Sequence, residues 1–541
     1  MKLAPRTFTP ADWLKSKFYK HLSSYDTFYV QRCRELYELL LEHEGWFARA
    51  NMNRDNLIEL ARMLGGYFED FTSEIGIWSA FVKYNQSLYG YPLPFYDLTD
   101  YDTDYLNQPD LAFLVWKFMA NHFPDRNFAP DHPTIMEIAD EAFIILEDSI
   151  EKAPATDYYE KLFTVRADDT FSTLKDKLSW FGVASYLLGT EMAPKLHVSI
   201  NKDAMMLGPE NFSSVAYMLT EPYVFSARSS FSALNSAEWF AEVARCSPDV
   251  KEAIRHTQPG HMGRYLLVDD ADKTFYLFRH GQTDRLYRVR RDSLEGGKPL
   301  GSSPGDKHLF TMNLRQWNGD WWLSGTMVNS PATETQIREY HNTLVSEPWL
   351  YDEEKMSLIC EVEAGQERAH MAFFGDRLAV FGDERAYEAA SKAFIEFSNN
   401  MNAKRDVDLP NNRDAQVQER LEQFKKTEKL DSMSEFFKSK DVSLFYHSGV
   451  GSLILTNIKA DAIDILKAEN PTQLERQRLF AFVAVSMNPV VGRYLLNKFG
   501  TKNFLFPFTS SRVDALRDIE FFWRFYRPEE YDTLYPNVSV L

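Results

Sequence analysis

Cysteine is nearly absent from this chain. Only Cys33, Cys246 and Cys360 occur among 541 residues, far apart and in unlike contexts. That spacing excludes a disulfide framework and a Cys-x-x-Cys metal site, and it suits a reducing compartment. Long apolar runs are missing too. No stretch reaches the roughly 18–20 uninterrupted apolar residues that a membrane span needs. The opening MKLAPRTFTPADWLKSKFYKHL lacks an apolar h-region, so no signal peptide is expected. Positive charge is scarce: 60 Lys and Arg stand against 78 Asp and Glu, a formal net charge of −18. An acidic surface repels phosphate backbones, which counts against general nucleic-acid binding and fits a soluble cytoplasmic protein. Nor does the chain contain a Gly-x-Ser-x-Gly elbow, a P-loop, an internal repeat or a low-complexity segment.

Aromatic residues are plentiful, with 41 Phe, 27 Tyr and 11 Trp. Each removes a large area from water when buried, so the chain can build substantial cores, and its length calls for more than one. The pattern predicts an α+β protein in three parts. Residues 1–155 read as a helical domain. In DTFYVQRCRELYELLLEHEG, Tyr29, Cys33, Leu36, Tyr37, Leu40 and Leu41 keep helical spacing, with Gly45 as the stop. Leu57, Leu60, Ala61, Leu64 and Phe68 form the face of the next helix. A loop is expected over YGYPLPFYDLTDYDTDYLNQPD, and Asp131 is the expected cap of a helix with Pro133 in its first turn. Residues 156–350 read as a mixed region ending in an antiparallel β meander, with Asn318-Gly319 as a hairpin turn. Residues 351–541 read as an α+β domain. Three short strands are expected in MSLICEVEAG, RAHMAFFGD and RLAVFGDE, then a helix from RAYEAASKAFIEFSNNM. The charged segment NAKRDVDLPNNRDAQVQERLEQFKKTEKL reads as helix or hinge, VSLFYHSGVGSLILT as a strand pair, and the chain after 458 as mainly helical.

Candidate chemistry is sparse. Arg279-His280-Gly281-Gln282-Thr283 spells a histidine-phosphatase signature, in which an unprotonated histidine attacks phosphorus and cationic donors hold the phosphoryl oxygens. His447, after an apolar strand, faintly resembles that family's second histidine loop. Against this, Leu286 stands where the family has Asn, Ser448 interrupts the second loop, and RLYRVRR continues in the period of a strand rather than a helix. The simpler reading makes HGQTD the second turn of a three-strand meander, with His280 and Gly281 as turn residues. Arg285, Arg288, Arg290 and Arg291 form the one dense basic run. The 285–291 strand would send Arg288 and Arg290 to one face, where an anion or a nucleic-acid phosphate could sit, although a solvated face is the plainer reading. Asp100, Asp102 and Asp104 alternate as in calcium loops, but Tyr105 and Leu111 replace the Gly and Glu such a loop wants. His256 and His261 are too few for zinc. Trp317, Trp321 and Trp322 read as the core face of a hairpin before they read as a stacking platform.

Several stretches are similar to a bacterial family known only as a conserved domain of unknown function: ADWLKSKFYKHLSSYDTFYVQRCRELYELL, LAFLVWKFM with FAPDHPTIMEIADEAFIIL, NGDWWLSG, and NPVVGRYLLNKFGTKNFLFPF with IEFFWRFYRPEEY. The resemblance implies one multi-part architecture and brings no activity or ligand with it. The expectation is therefore a binding or interaction protein without catalytic activity, with no assigned catalytic, cofactor or metal residue and an unidentified protein partner. The alternatives are a phosphohydrolase using His280, Arg279 and His447, or anion and nucleic-acid binding through the 285–291 strand.

Overall fold

The computed structural model describes residues 6–122, 129–208, 212–257, 260–269, 272–280, 285–294, 300, 308–333, 353–402, 440–504 and 515–531. Two compact units divide the chain: residues 1–346 with 507–531, and residues 347–506 with 532–541. The protein is α+β. No helix among the described residues is long and apolar enough to cross a membrane.

The first unit begins with helices α1 (Pro10–Leu14), α2 (Ser24–Glu42), α3 (Glu44–Arg49), α4 (Arg54–Thr72), α5 (Ile77–Tyr89), α6 (Gln108–His122) and α7 (Pro133–Glu147). Capping boxes fix three of the starts: Thr9 with Asp12, Ser23 with Asp26, and Asn53 with Asn56. In each, two amide donors that a helix leaves orphaned are satisfied by side chains. The predicted faces of α2 and α4 are the buried ones, with Cys33, Leu36 and Leu40 of the first and Leu60, Ala61, Leu64 and Phe68 of the second fully enclosed. Two boundaries differ from expectation. The helix after the Pro-rich loop is capped by His132, whose Nδ1 accepts the Thr134 amide at 3.2 Å, and not by Asp131. Gly45 does not end α2; it lies inside α3, because His43 already serves as the cap of both helices.

Residues that read as mixed are helical: α8 (Tyr158–Phe163), α9 (Phe171–Ala184), α10 (Gly189–Leu207), α11 (Phe212–Phe225), α12 (Ser236–Val243) and α13 (Pro248–Arg255). The chain then forms five strands, β1 (His261–Asp269), β2 (Phe275–His280), β3 (Leu286–Arg290), β4 (His308–Trp317) and β5 (Asp320–Pro331). β1, β2 and β3 are the expected antiparallel meander, and β4 and β5 the expected hairpin. Its turn is Asn318-Gly319, with φ of 50° and 83°. Both values lie in the left-handed region that a two-residue hairpin with the right twist requires. The strands close into a barrel in the order β1-β2-β3-β5-β4, through a β1–β4 pairing and a parallel contact of Val289 with Trp321. The closure was not expected from sequence.

In the second unit, α14 (Glu353–Phe374) replaces the first two of the three strands expected between 356 and 383. Only β6 (Leu378–Phe381) forms, followed by α15 (Glu384–Asn402). The alternation in ICEVEAG looks strand-like over a few residues. Over the longer segment, however, Glu363 and His370 fall on one helical face, and both are buried. β7 (Val442–His447) and β8 (Gly451–Thr456) pair as expected, in a sheet of order β6-β7-β8. The segment NAKRDVDLPNNRDAQVQERLEQFKKTEKL lies outside the described residues from position 403 on.

Candidate binding face on the barrel

Side chains alternate across a strand, so each barrel strand has an inward and an outward set. The inward set is Tyr265 and Leu267 of β1, Tyr276 and Phe278 of β2, Tyr287 and Val289 of β3, and Phe310, Met312 and Leu314 of β4. These fill the interior. The outward set on β1 to β3 includes Met262 and Arg264, then Phe275, Leu277 and Arg279, then Leu286, Arg288 and Arg290.

Register arranges this outward set in rows. Leu266, Arg279 and Leu286 lie across the three strands, Leu277 faces Arg288, and Phe275 faces Arg290. Guanidinium and apolar surfaces therefore alternate both along and across the strands. The Arg288 guanidinium lies 4.3 Å from the centre of the Phe275 ring, and that of Arg290 5.6 Å from it. One end of the face is partly neutralised: Arg290 pairs with Asp292 at 2.9 Å and reaches Asp320 at 3.6 Å, while Asp272 is 4.0 Å from Arg288. At the other end Arg279 is exposed and has no ion pair among the described residues. Exposed apolar surface accompanies the charge, with Met262 at 64% and Leu286 at 52%.

The phosphatase signature is split by this geometry. Arg279 points outward and its neighbour His280 inward, on opposite faces of the barrel wall. His280 is not the turn residue expected. It ends β2, buried at 8% exposure, and its amide donates to the Arg285 carbonyl at 2.9 Å to close the hairpin. Gly281, Gln282 and Thr283 lie outside the described residues. The His280 ring occupies the place a side chain on Gly263 would take: a Cβ there would stand 2.3 Å from Nε2. It packs edge-on to Tyr265, with ring centres 5.0 Å apart. His261 joins this cluster, its Nδ1 3.0 Å from the Tyr287 hydroxyl. Burial, aided by the nearby Arg285, His280 and Arg315, holds the His261 pKa down to about 3, and burial lowers that of His280 as well. Both imidazoles are thus neutral hydrogen-bonding groups of the barrel wall near neutral pH. His447, at the end of β7, belongs to the other compact unit.

The remaining candidates separate. His256 is exposed on the helical side while His261 is buried in the barrel, so the two do not form one site. Asp102 accepts the Asp104 amide at 2.9 Å within its own loop. Trp317 and Trp322 are buried, and Trp321 packs against the barrel core. Sequence reading missed the acid that joins the barrel to the helices. Glu221 of α11 accepts from Arg315 Nε at 2.8 Å and from the Ser324 hydroxyl, and Lys175 lies 2.6 Å from its second oxygen. Burial pushes the Glu221 carboxyl up, but Arg315 and Lys175 outweigh it and hold the group below the usual carboxylate range. A lone acid in the apolar run FSSVAYMLTEPYVF is the signal that could have found it, since a charge in such a run is buried only when paired.

Residues 7–258 match the family model described as Protein of unknown function (DUF3843). The match is a little under half of the chain and ends just before β1, so it covers α1 to α13 and leaves out the barrel and everything after it. An uncharacterised family is what the opening helices resemble; NGDWWLSG and IEFFWRFYRPEEY lie beyond the matched residues. No curated protein and no solved structure gives a significant match.

Proposed function

We propose that this protein acts by binding a partner on the outward face of β1, β2 and β3, and not by catalysis. The single observation behind the reading is that face, where Arg279, Leu286 and Arg288 are exposed across β2 and β3 and Met262 is exposed near the start of β1. Exposed apolar groups on a solvated strand cost free energy, and their grouping beside fixed charges is the usual make-up of a contact surface. The strand order β1-β2-β3-β5-β4, closed by β1–β4, is also that of OB-type barrels, whose strand 2–3 face is a binding surface. That is an analogy of fold, and the residues have to carry it.

Photo-crosslinking tests the reading. With benzoylphenylalanine in place of Met262 or Leu286, discrete crosslinked species are expected in extract of the source cells. The same group in place of Tyr105, which is exposed at 68% in a distant loop of the sequence, is expected to give none. Equal labelling at all three positions, or none at Met262 and Leu286, would overturn it.

A further inference from the structure

We infer that the helical part of the first unit holds a second binding site, for a free α-amino acid, in the cavity between the α4–α5 turn and the end of α12. The site is independent of the barrel face. Its volume is about 190 Å³. Sites for drug-sized ligands run to roughly 300–1,000 Å³, so this one suits a smaller metabolite. Ile75, Ala80 and Val243 line it and are buried, which makes its floor apolar. Glu74, Lys83, Glu242 and Arg245 line it and are exposed, which makes its rim charged. These charges are not spent on one another. Glu242 is neutralised by Arg255 at 2.6 Å. The side chains of Lys83 and Glu74 make no ion pair among the described residues. Arg245 donates to the Glu74 backbone carbonyl at 2.8 Å and has no carboxylate partner there. Two unpaired cations and one unpaired carboxylate therefore border a single small cavity.

A free α-amino acid carries the complement of this set. Its carboxylate suits Lys83 and the guanidinium of Arg245, because hydrogen bonds between ionised groups are the strong ones. Its ammonium suits Glu74, and an aliphatic side chain suits the surface of Ile75, Ala80 and Val243. A simple anion would be repelled by Glu74, and a divalent cation by Lys83 and Arg245. A peptide end offers one of the two charges and not both. The backbone of Glu74 bears on the same reading. The Ile75 amide donates to the Asp70 carbonyl at 3.0 Å, which ends α4 with Glu74 in the left-handed region at φ 49°. Glycine is the usual residue at such a helix end, since a Cβ is strained there. The Glu74 side chain makes no hydrogen bond among the described residues that would offset this strain. It is left free for a ligand.

The test is isothermal titration calorimetry of the full chain with L-leucine and L-valine, and with the amide and the N-acetyl derivative of each. The amide lacks the carboxylate and the N-acetyl derivative lacks the ammonium. Saturable binding of at least one of the two amino acids is expected at micromolar to millimolar concentration. Each blocked derivative should bind at least about tenfold more weakly, the loss that follows when a charge-assisted hydrogen bond is removed. K83Q/R245Q should also weaken binding at least about tenfold. E74G separates a binding role from a structural one. It should melt no lower than the parent, because glycine relieves the left-handed backbone, and still bind at least about tenfold more weakly. Each variant is first melted by circular dichroism, and if E74G melts lower then E74Q takes its place in the titration. No saturable heat with either amino acid, derivatives that bind as well as the parent amino acid, or affinity unchanged in K83Q/R245Q or in the Glu74 variant would each overturn the inference.

Discussion

Lys117 is fully buried on α6, with Nζ 2.9 Å from the Asn121 side-chain oxygen, hydrogen-bonded to the Ser230 hydroxyl, and between the rings of Phe231 and Phe525. Glu191, 3.8 Å away, is its counter-charge and is also held by Lys195 at 2.9 Å. Burial is the larger influence and lowers the Lys117 pKa to about 7, although Glu191 opposes it. The sign follows from linkage. Between pH 7 and the unfolded value near 10.5 the unfolded chain holds a proton that the folded chain has released, so this residue makes stability rise with pH across that window. Lys117→Met removes the rise and leaves Glu191 with Lys195. Relative to the wild type, the variant should therefore lose about 3 kcal/mol of stability between pH 7 and pH 9.5. Urea unfolding of both proteins at the two pH values measures it; an equal cost at both would place the titration of Lys117 elsewhere. The sequence marks this residue by its setting, one charge inside LAFLVWKFMA, but not its partner, which lies on another helix.

At the scale of elements, the β1–β2 pairing depends on the absence of a side chain at Gly263. His280 fills that space from the neighbouring strand, so Gly263→Ala must displace the imidazole or part the strands. Overpacking of this kind costs about 1–3 kcal/mol. His280→Ala vacates the space, and the double variant should cost less than the two single changes summed, because the new methyl occupies the vacated volume. A double-mutant cycle on urea midpoints decides it, and strict additivity would mean the two groups do not meet. Neither residue announces this contact in the sequence. The strands were legible where alternation and turn chemistry agree, as in RLYRVRR and at Asn318-Gly319. Closure was not, because β1–β4 and β3–β5 join segments far apart in sequence, and no local pattern encodes such pairing. The same limit applied to the face: Arg288 and Arg290 were visible by period, but register alone sets Arg279 beside them. The strands expected between 356 and 374 failed for a different reason, since short alternation is compatible with α14 once Glu363 and His370 find buried places. Glu363 accepts from the Tyr446 hydroxyl, and His370 lies 3.1 Å from the Arg377 carbonyl.

At the scale of the molecule, the chain leaves the first unit near residue 346 and returns to it for residues 507–531. The returning helix, Ala515–Tyr526, completes the core of the N-terminal helices. Phe522 lies 5.0 Å from Phe95, Phe525 5.2 Å from Trp116 and Phe521 5.8 Å from Phe113, while the Tyr91 hydroxyl donates to Asp518 at 2.7 Å. Phe521, Phe522 and Phe525 are all buried, and each such side chain contributes about 1.5–3 kcal/mol by burial alone. Together they approach the whole stability of an ordinary domain, about 5–15 kcal/mol. The first unit is therefore not encoded by the first 346 residues. Truncation after residue 514 should leave Phe95, Phe113 and Trp116 uncovered, giving a chain that is insoluble or binds a hydrophobic dye. Phe521→Ala in the full chain should lower stability by about 3–5 kcal/mol without that collapse. Thermal unfolding compares the three proteins. If the truncated chain melts cooperatively within a few degrees of the full one, the N-terminal helices hold their core without the return of the chain.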